Sequence, residues 1–295
     1  MKLLRGTFRG IGGAALLACV LILLCSFSWA QARLRMSTTT STENSGLLKV
    51  LLPPFENECN CKVDVISVGT GKALKLGESG DVDVVLVHAR ALEDEFIASG
   101  FGVNRREVMY NDFVIVGPAD DPADLKHAAS AADAFRRIAG HGPVFISRGD
   151  GSGTEQKEKE IWAGAGITPS GSWYRSAGQG MGEVLTMATE LRAYTLADRG
   201  TYNSVRHGKT DLVILYQGAY NPAKKLSVSQ VLSMTGANGL FNPYSVMAVN
   251  PKRFPHVRFD LATKFIDYIT GPKGQQIVAN YRVGGDPVFF TYQGE

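Results

Sequence analysis

The segment Phe145-Ile146-Ser147-Arg148-Gly149-Asp150-Gly151-Ser152-Gly153-Thr154 carries three local signatures in succession. Val144-Phe145-Ile146 is a short apolar run that predicts a buried strand. The glycines after it predict a tight turn, and Thr154-Glu155-Gln156-Lys157-Glu158-Lys159-Glu160-Ile161-Trp162 has helix-forming composition. A strand that enters a helix through such a turn leaves backbone N–H groups unpaired at the helix start, with the positive end of the helix dipole behind them. That arrangement suits an anion. Arg148 adds a planar fork of donors, while Ser152 and Thr154 add hydroxyls that either cap the helix or face a ligand. The same residues also describe an ordinary capped helix whose arginine pairs with Asp150, and the segment alone leaves both readings open.

Two earlier segments repeat the pattern. Leu34-Arg35-Met36 leads into six consecutive hydroxyl residues, Ser37 to Thr42, and Glu43 to Leu52 then has helical composition. Capping needs only one or two of those hydroxyls. Val63-Asp64-Val65-Ile66-Ser67-Val68 alternates as a strand and runs into Gly69-Thr70-Gly71-Lys72-Ala73-Leu74. This is not a nucleotide P-loop, because the position that needs the leading glycine holds Ile66. Asp83 to Val87 predicts another buried strand and Ala91 to Ser99 a helix after it. Alternating strands and helices predict α/β layers with a mainly parallel sheet.

Asn111-Asp112-Phe113-Val114-Ile115-Val116-Gly117-Pro118 and Asn242-Pro243-Tyr244-Ser245-Val246-Met247-Ala248-Val249-Asn250-Pro251 share Asn, one residue, an aromatic, an apolar run and then Pro. Two matched strands this far apart predict a pair of crossings between lobes. Residues 113–243 then form an inserted lobe, and residues 33–112 join 244–295 in the other. The Thr39 and Thr70 turns belong to the first lobe and the Arg148 turn to the second, so that they face each other across a cleft. Trp173-Tyr174 and Gly178-Gln179-Gly180-Met181-Gly182 precede a helix over 183–191; they read as loop packing or as cleft wall. Residues 223–239, rich in Ser, Lys and Gly, predict a surface excursion, and 261–269 and 275–281 predict helices covering the first lobe's sheet.

The amino terminus has its own logic. Lys2, Arg5 and Arg9 precede a charge-free run whose apolar heart is Ala14 to Phe27, and Ser28-Trp29-Ala30 supplies small residues at cleavage spacing. Residues 1–30 are thus expected to be a secretory signal peptide, placing the mature chain in the periplasm. The apolar heart falls short of the roughly 20 residues that span a bilayer, which disfavours an anchor. Lipidation at Leu16-Leu17-Ala18-Cys19 ranks second, since it strands Val20 to Phe27 on the mature protein. Of the 31 basic residues three leave with the signal, so the exported chain balances 28 acidic side chains and shows no nucleic-acid footprint. Cys19 and Cys25 leave as well, and Cys59-Asn60-Cys61 remains as a small disulfide or half of a metal site. The five histidines are scattered, none at ligand spacing from the pair. The pair is expected to carry no function.

In six places, spread in order over nearly the whole mature chain, the sequence resembles the periplasmic tungstate-binding (TupA-type) proteins of ABC importers. They are Thr38-Thr39-Thr40-Ser41-Thr42, Val68-Gly69-Thr70-Gly71-Lys72-Ala73-Leu74, Tyr110-Asn111-Asp112-Phe113, Ser147 to Thr154, Gly178 to Gly182 and Asn242-Pro243-Tyr244. Two departures are Arg90 after His88-Ala89, where that family tends to have proline, and the long stretch 223–239. The resemblance implies a type II periplasmic-binding-protein fold, two-lobed α/β with two crossover strands as hinge, closing on one oxyanion, tungstate or molybdate. It implies a monomer that delivers to an ABC permease, needs no cofactor and catalyses nothing. It also implies an anion site of Thr39, Thr40, Ser41, Thr70, Gly71, Arg148, Ser152, Gly153 and Thr154. A phosphate- or sulfate-binding protein of the same fold is the nearest alternative. An exported hydrolase lacks a histidine near Ser152 in sequence, and adhesion through Arg148-Gly149-Asp150 rests on a tripeptide alone.

Overall fold

The computed structural model describes residues 31–218, 225–237 and 239–293. The expected signal peptide, with Cys19 and Cys25, lies outside the described residues. So do Ala223, Lys224 and Asn238 of the expected surface excursion.

Strands β1 (Ala32–Thr39), β2 (Cys61–Val68), β3 (Val84–Val87), β4 (Gly102–Gly117), β7 (Thr195–Asp198), β8 (Val213–Tyr216) and β9 (Phe241–Val249) form one sheet. Its order is β2-β1-β3-β9-β4-β7, and β8 also pairs with β4. Two short strands, β5 (Phe145–Ser147) and β6 (Tyr174–Ser176), pair separately and in parallel. The sheet is mixed rather than mainly parallel. β1 and β3 run parallel, whereas β9 is antiparallel to β3 and to β4, and β7 and β8 are antiparallel to β4. The reason is the double crossing: the chain leaves the first half of the molecule along β4 and returns along β9, so these two strands must oppose each other. Asn111 is paired with Asn242 in their register.

β4 is long enough to serve both halves. Its first part pairs with β9, with register irregularities between Val103 and Arg106 and between Glu107 and Met109 that bend it. Its last part pairs with β7 and β8. There the period-two alternation is clean. Phe113 and Ile115 enter a core with Phe135, Phe145, Trp162, Tyr194 and Leu196, while Val114 and Val116 enter another with Ile146, Val184, Leu185 and Ala197. A strand covered on both faces reads as an unbroken apolar run. The first half has its own core, in which Leu74, Val85, Val87, Phe96, Met247 and Val249 meet.

Two local expectations change. The helix expected over 43–52 is two helices, α1 (Thr40–Asn44) and α2 (Leu48–Cys59), separated where Gly46 takes φ 81° and the Tyr281 hydroxyl donates to Ser45 O at 2.6 Å. The excursion over 223–239 is not wholly superficial. Its described part holds a short helix, Val228–Ser233, and Leu226 and Val231 bury against Tyr110 and Phe241. Trp173 and Tyr174, the latter opening β6, pack into the Phe145–Trp162 core. Cys59 and Cys61 are joined as a disulfide around Asn60, at the junction of α2 and β2. Among the described residues, no three His, Cys, Asp or Glu side chains are grouped to hold a metal ion.

Candidate anion-binding site

Each of the three turns is a strand end feeding a helix. β1 ends at Thr39, which caps α1 by accepting from Thr42 N–H. β2 ends at Val68, and Gly69 caps α3 (Thr70–Ser79) without a side chain. β5 ends at Ser147, and Ser152 caps α6 (Gly153–Ala165) by accepting from Glu155 N–H at 3.2 Å. The ladder of α3 opens with Ala73 N–H to Gly69 O and that of α6 with Gln156 N–H to Ser152 O. The N–H groups of Thr70, Gly71, Gly153 and Thr154 therefore precede both ladders and have no intrahelical carbonyl to receive them. Between β5 and α6 the chain turns through Gly149 and Gly151 at φ 61° and 73°. A side chain at Gly149 would in addition overlap the Ser176 hydroxyl.

These turns converge. Arg148 is 1% exposed, and its Nη2 donates to Asp150 Oδ2 at 2.5 Å and to Thr40 Oγ1, on the opposite half, at 3.3 Å. A Cβ placed on Gly69 would stand 3.2 Å from Asp150 O, and one on Gly153 would stand 3.3 Å from Thr70 Oγ1. The two halves thus approach at glycines, Gly69 against the backbone of Asp150 and Gly151, and Gly153 against the side chains of His88 and Thr70. Asp150 is turned into its own loop, where Oδ1 accepts from Ser152 N–H at 3.2 Å. Among the described residues, Arg148 Nε and Nη1, Thr70 Oγ1 and Thr154 Oγ1 are buried without a hydrogen-bond partner. An unpaired buried donor costs roughly 1–3 kcal/mol, more for a charged one. Donors left in this state on the turns that meet suit an acceptor-only ligand.

Of the sequence-predicted residues, Thr40, Thr70, Arg148, Gly153 and Thr154 come together in this way. Gly71 lies in the first turn of α3 with open space about its Cα. Ser152 Oγ is engaged as the cap. Thr39 and Ser41 are drawn inward: their hydroxyls lie 3.1 Å apart, and each lies 3.1 Å from His88 Nε2.

The chain fits a superfamily model described as a PBP superfamily domain over residues 27–273. The chain belongs to the PBP superfamily. Within it, the chain belongs to the TupA-type family. The structure of the tungstate ABC transporter from Geobacter sulfurreducens is 63% identical to it, with a TM-score of 0.72, covering 84% of this chain and 98% of that one. The tungstate-binding protein TupA of Peptoclostridium acidaminophilum is 43% identical over 254 residues, 85% of this chain and 82% of its own length. The solved tungstate-binding protein TupA from Desulfovibrio alaskensis G20 is 41% identical with a TM-score of 0.70, covering 88% of this chain and 98% of that one. The fold is accordingly the two-lobed type II arrangement, with β4 and β9 as the crossovers.

Beneath the cradle lies a polar layer that the sequence did not single out. His88 is buried, stacked on Tyr244 with ring centroids 4.5 Å apart, and its Nδ1 meets Asn242 Oδ1 at 2.9 Å. Burial, and secondarily the Arg148 charge, lowers its pKa to about 4. Asp198 caps α8 (Arg199–Lys209) through Thr201 N–H, and burial raises its pKa against the pull of Arg148. The signal for His88 was available: it follows the apolar run Val84–Val87, at the carboxyl end of a strand paired in parallel, where α/β sheets place ligands.

Proposed function

We propose that this protein is an extracytoplasmic solute-binding protein that captures tungstate, with molybdate second, between its lobes and delivers it to an ABC importer. The single observation carrying this reading is the buried Arg148 guanidinium, whose Nε and Nη1, like the hydroxyls of Thr70 and Thr154 in the facing turns, are buried without a hydrogen-bond partner among the described residues. Tungstate at neutral pH is a fully deprotonated dianion whose oxygens only accept hydrogen bonds. A cradle of N–H groups, hydroxyls and one guanidinium replaces its water without asking it for a proton. One full positive charge suffices only if aligned donors and the amino ends of α3 and α6 carry the rest. No covalent step is required, so the protein acts by binding alone. The names of its relatives, tungstate-binding proteins, support the same ligand.

Thr40, Thr70, Gly71, Arg148, Gly153 and Thr154 would touch the anion, with Ser41 beside them and Thr39 and Ser152 shaping the turns. The lobes would be 33–112 with 244–295, and 113–243, closing as a monomer in the periplasm after removal of residues 1–30. The closed form is the one a permease would read. Calorimetry on ligand-free protein with tungstate, molybdate, sulfate and phosphate tests this. One-to-one tungstate binding is expected, and a melting curve unmoved by saturating tungstate would refute it.

A further inference from the structure

His88 occupies a position that packing alone does not explain. Its ring touches three parts of the molecule: the Thr39–Ser41 turn through Nε2, the crossover strand β9 through Nδ1, and the start of α6. A Cβ on Gly153 would come within 2.8 Å of His88 Cε1. Its proton can be placed from the network around it. Asn242 Nδ2 donates to Asn111 Oδ1 at 2.8 Å and reaches the Tyr244 hydroxyl at 3.3 Å, so the amide oxygen is the atom facing the ring. An amide oxygen accepts only, and His88 Nδ1 must therefore carry the hydrogen. Nε2 is left with a lone pair, and the hydroxyls of Thr39 and Ser41 are both within reach of it.

From this geometry we propose that His88 is the positioning residue of the anion cradle: Nε2 accepts the hydrogen bond of the Thr39 hydroxyl, so that the proton of Ser41 stays free to point at the ligand. Thr39 Oγ1 already accepts from Thr42 N–H and lies 2.6 Å from Thr42 Oγ1. With its hydrogen bond given to His88 Nε2 and the Thr42 hydroxyl donating to it, Thr39 is saturated. Ser41 then joins Thr40 as a hydroxyl of that turn left to donate outward. Because the opposite side of the ring is bonded to β9, the direction of the Ser41 donor is tied to the crossover strand on which the lobes hinge. The inference rests on the oxyanion reading above, and it adds a residue that does not itself touch the anion.

Two measurements test it. In nitrogen-detected NMR of the histidines of wild-type protein, with and without tungstate, His88 should carry hydrogen on Nδ1 and none on Nε2 in the tungstate-bound form; a protonated Nε2 there overturns the proposal. The second compares variants by calorimetry. His88→Phe keeps the stack on Tyr244 but removes the acceptor, and its tungstate affinity should fall about tenfold to a hundredfold. His88→Gln, whose amide oxygen can stand near the position of Nε2, should recover most of that loss, which a purely structural role would not predict. Wild-type affinity in His88→Phe overturns the proposal. Should that variant not fold, the NMR result decides. Wild-type protein that binds no oxyanion at all overturns the cradle, and the proposal with it, before any variant is made.

Discussion

Arg148 gives Nη2 to Asp150 at 2.5 Å and keeps Nε and Nη1 free of any partner among the described residues. The carboxylate therefore orients the guanidinium without consuming it. Arg148→Ala should abolish most tungstate binding while leaving the ligand-free melting temperature within a few degrees, since the lost group is a donor awaiting a ligand. Arg148→Lys should recover only part, because an ammonium lacks the planar fork. Titration calorimetry on the two variants checks both statements, and undiminished affinity in the Ala variant would place the side chain outside the site.

Closure should depend on the glycines at which the lobes meet. A methyl group at Gly153 would press within 2.8 Å of the buried His88 ring, and one at Gly69 would stand 3.2 Å from Asp150 O. Neither glycine needs a positive φ, so Ala substitution strains the contact between lobes rather than the turn. Gly153→Ala is expected to weaken tungstate binding by about tenfold or more, on the order of the 1–3 kcal/mol cost of overpacking. Small-angle scattering should show less compaction on adding tungstate. Compaction equal to wild type would mean the lobes close elsewhere.

What the sequence reveals here follows from how local each signal is. The three turns are legible because a strand end, a glycine or hydroxyl cap and a helix start lie within ten residues of one another. The crossovers are legible because Asn111 and Asn242 head the same pattern. The sheet's direction is not legible, since alternating strands and helices look alike whether or not the chain crosses between lobes and returns. Gly46 breaks the helix at a contact with Tyr281, far along the chain, and nothing near Gly46 announces it. His88 escapes notice for a similar reason: its partners Thr39, Ser41 and Asn242 are brought to it by β1 and β9, and a lone histidine carries no spacing to read.

The burial of His88 has a measurable consequence in acid. Unfolded, the ring takes a proton below its ordinary value near 6.5, whereas folded it stays neutral down to about 4. The unfolded chain binds more protons across that window, so the contribution of His88 to stability is lost as pH falls through it, by up to about 3 kcal/mol. Glu93 and Glu158, each raised by burial to about 7, act with the opposite sign. They cancel when wild type is compared with His88→Phe. Chemical denaturation of the ligand-free pair at pH 7 and pH 4.5 should show wild type losing on the order of 2 kcal/mol relative to the variant. A difference independent of pH would show that His88 does not hold the lowered value.

Discrimination against phosphate separates the tungstate reading from its nearest rival. Phosphate at neutral pH carries at least one proton, and a tight phosphate site needs a buried acceptor aimed at it. Two carboxylates qualify by position. Asp150 has both oxygens committed, Oδ2 to Arg148 and Oδ1 to Ser152 N–H. Asp198 is buried close enough to feel the Arg148 charge, and its carboxyl is pushed upward by burial. Its Oδ1 accepts from Thr201 N–H at the start of α8. Tungstate should therefore bind far more tightly than phosphate at pH 7. Sulfate, equally unprotonated, must be refused by size, because donors spaced for longer metal–oxygen bonds stand too far from it. Competition calorimetry with Asp150→Asn and Asp198→Asn completes the test. If phosphate displaces tungstate at comparable concentration, and either substitution abolishes that displacement, the substituted carboxylate is the proton acceptor of a phosphate site.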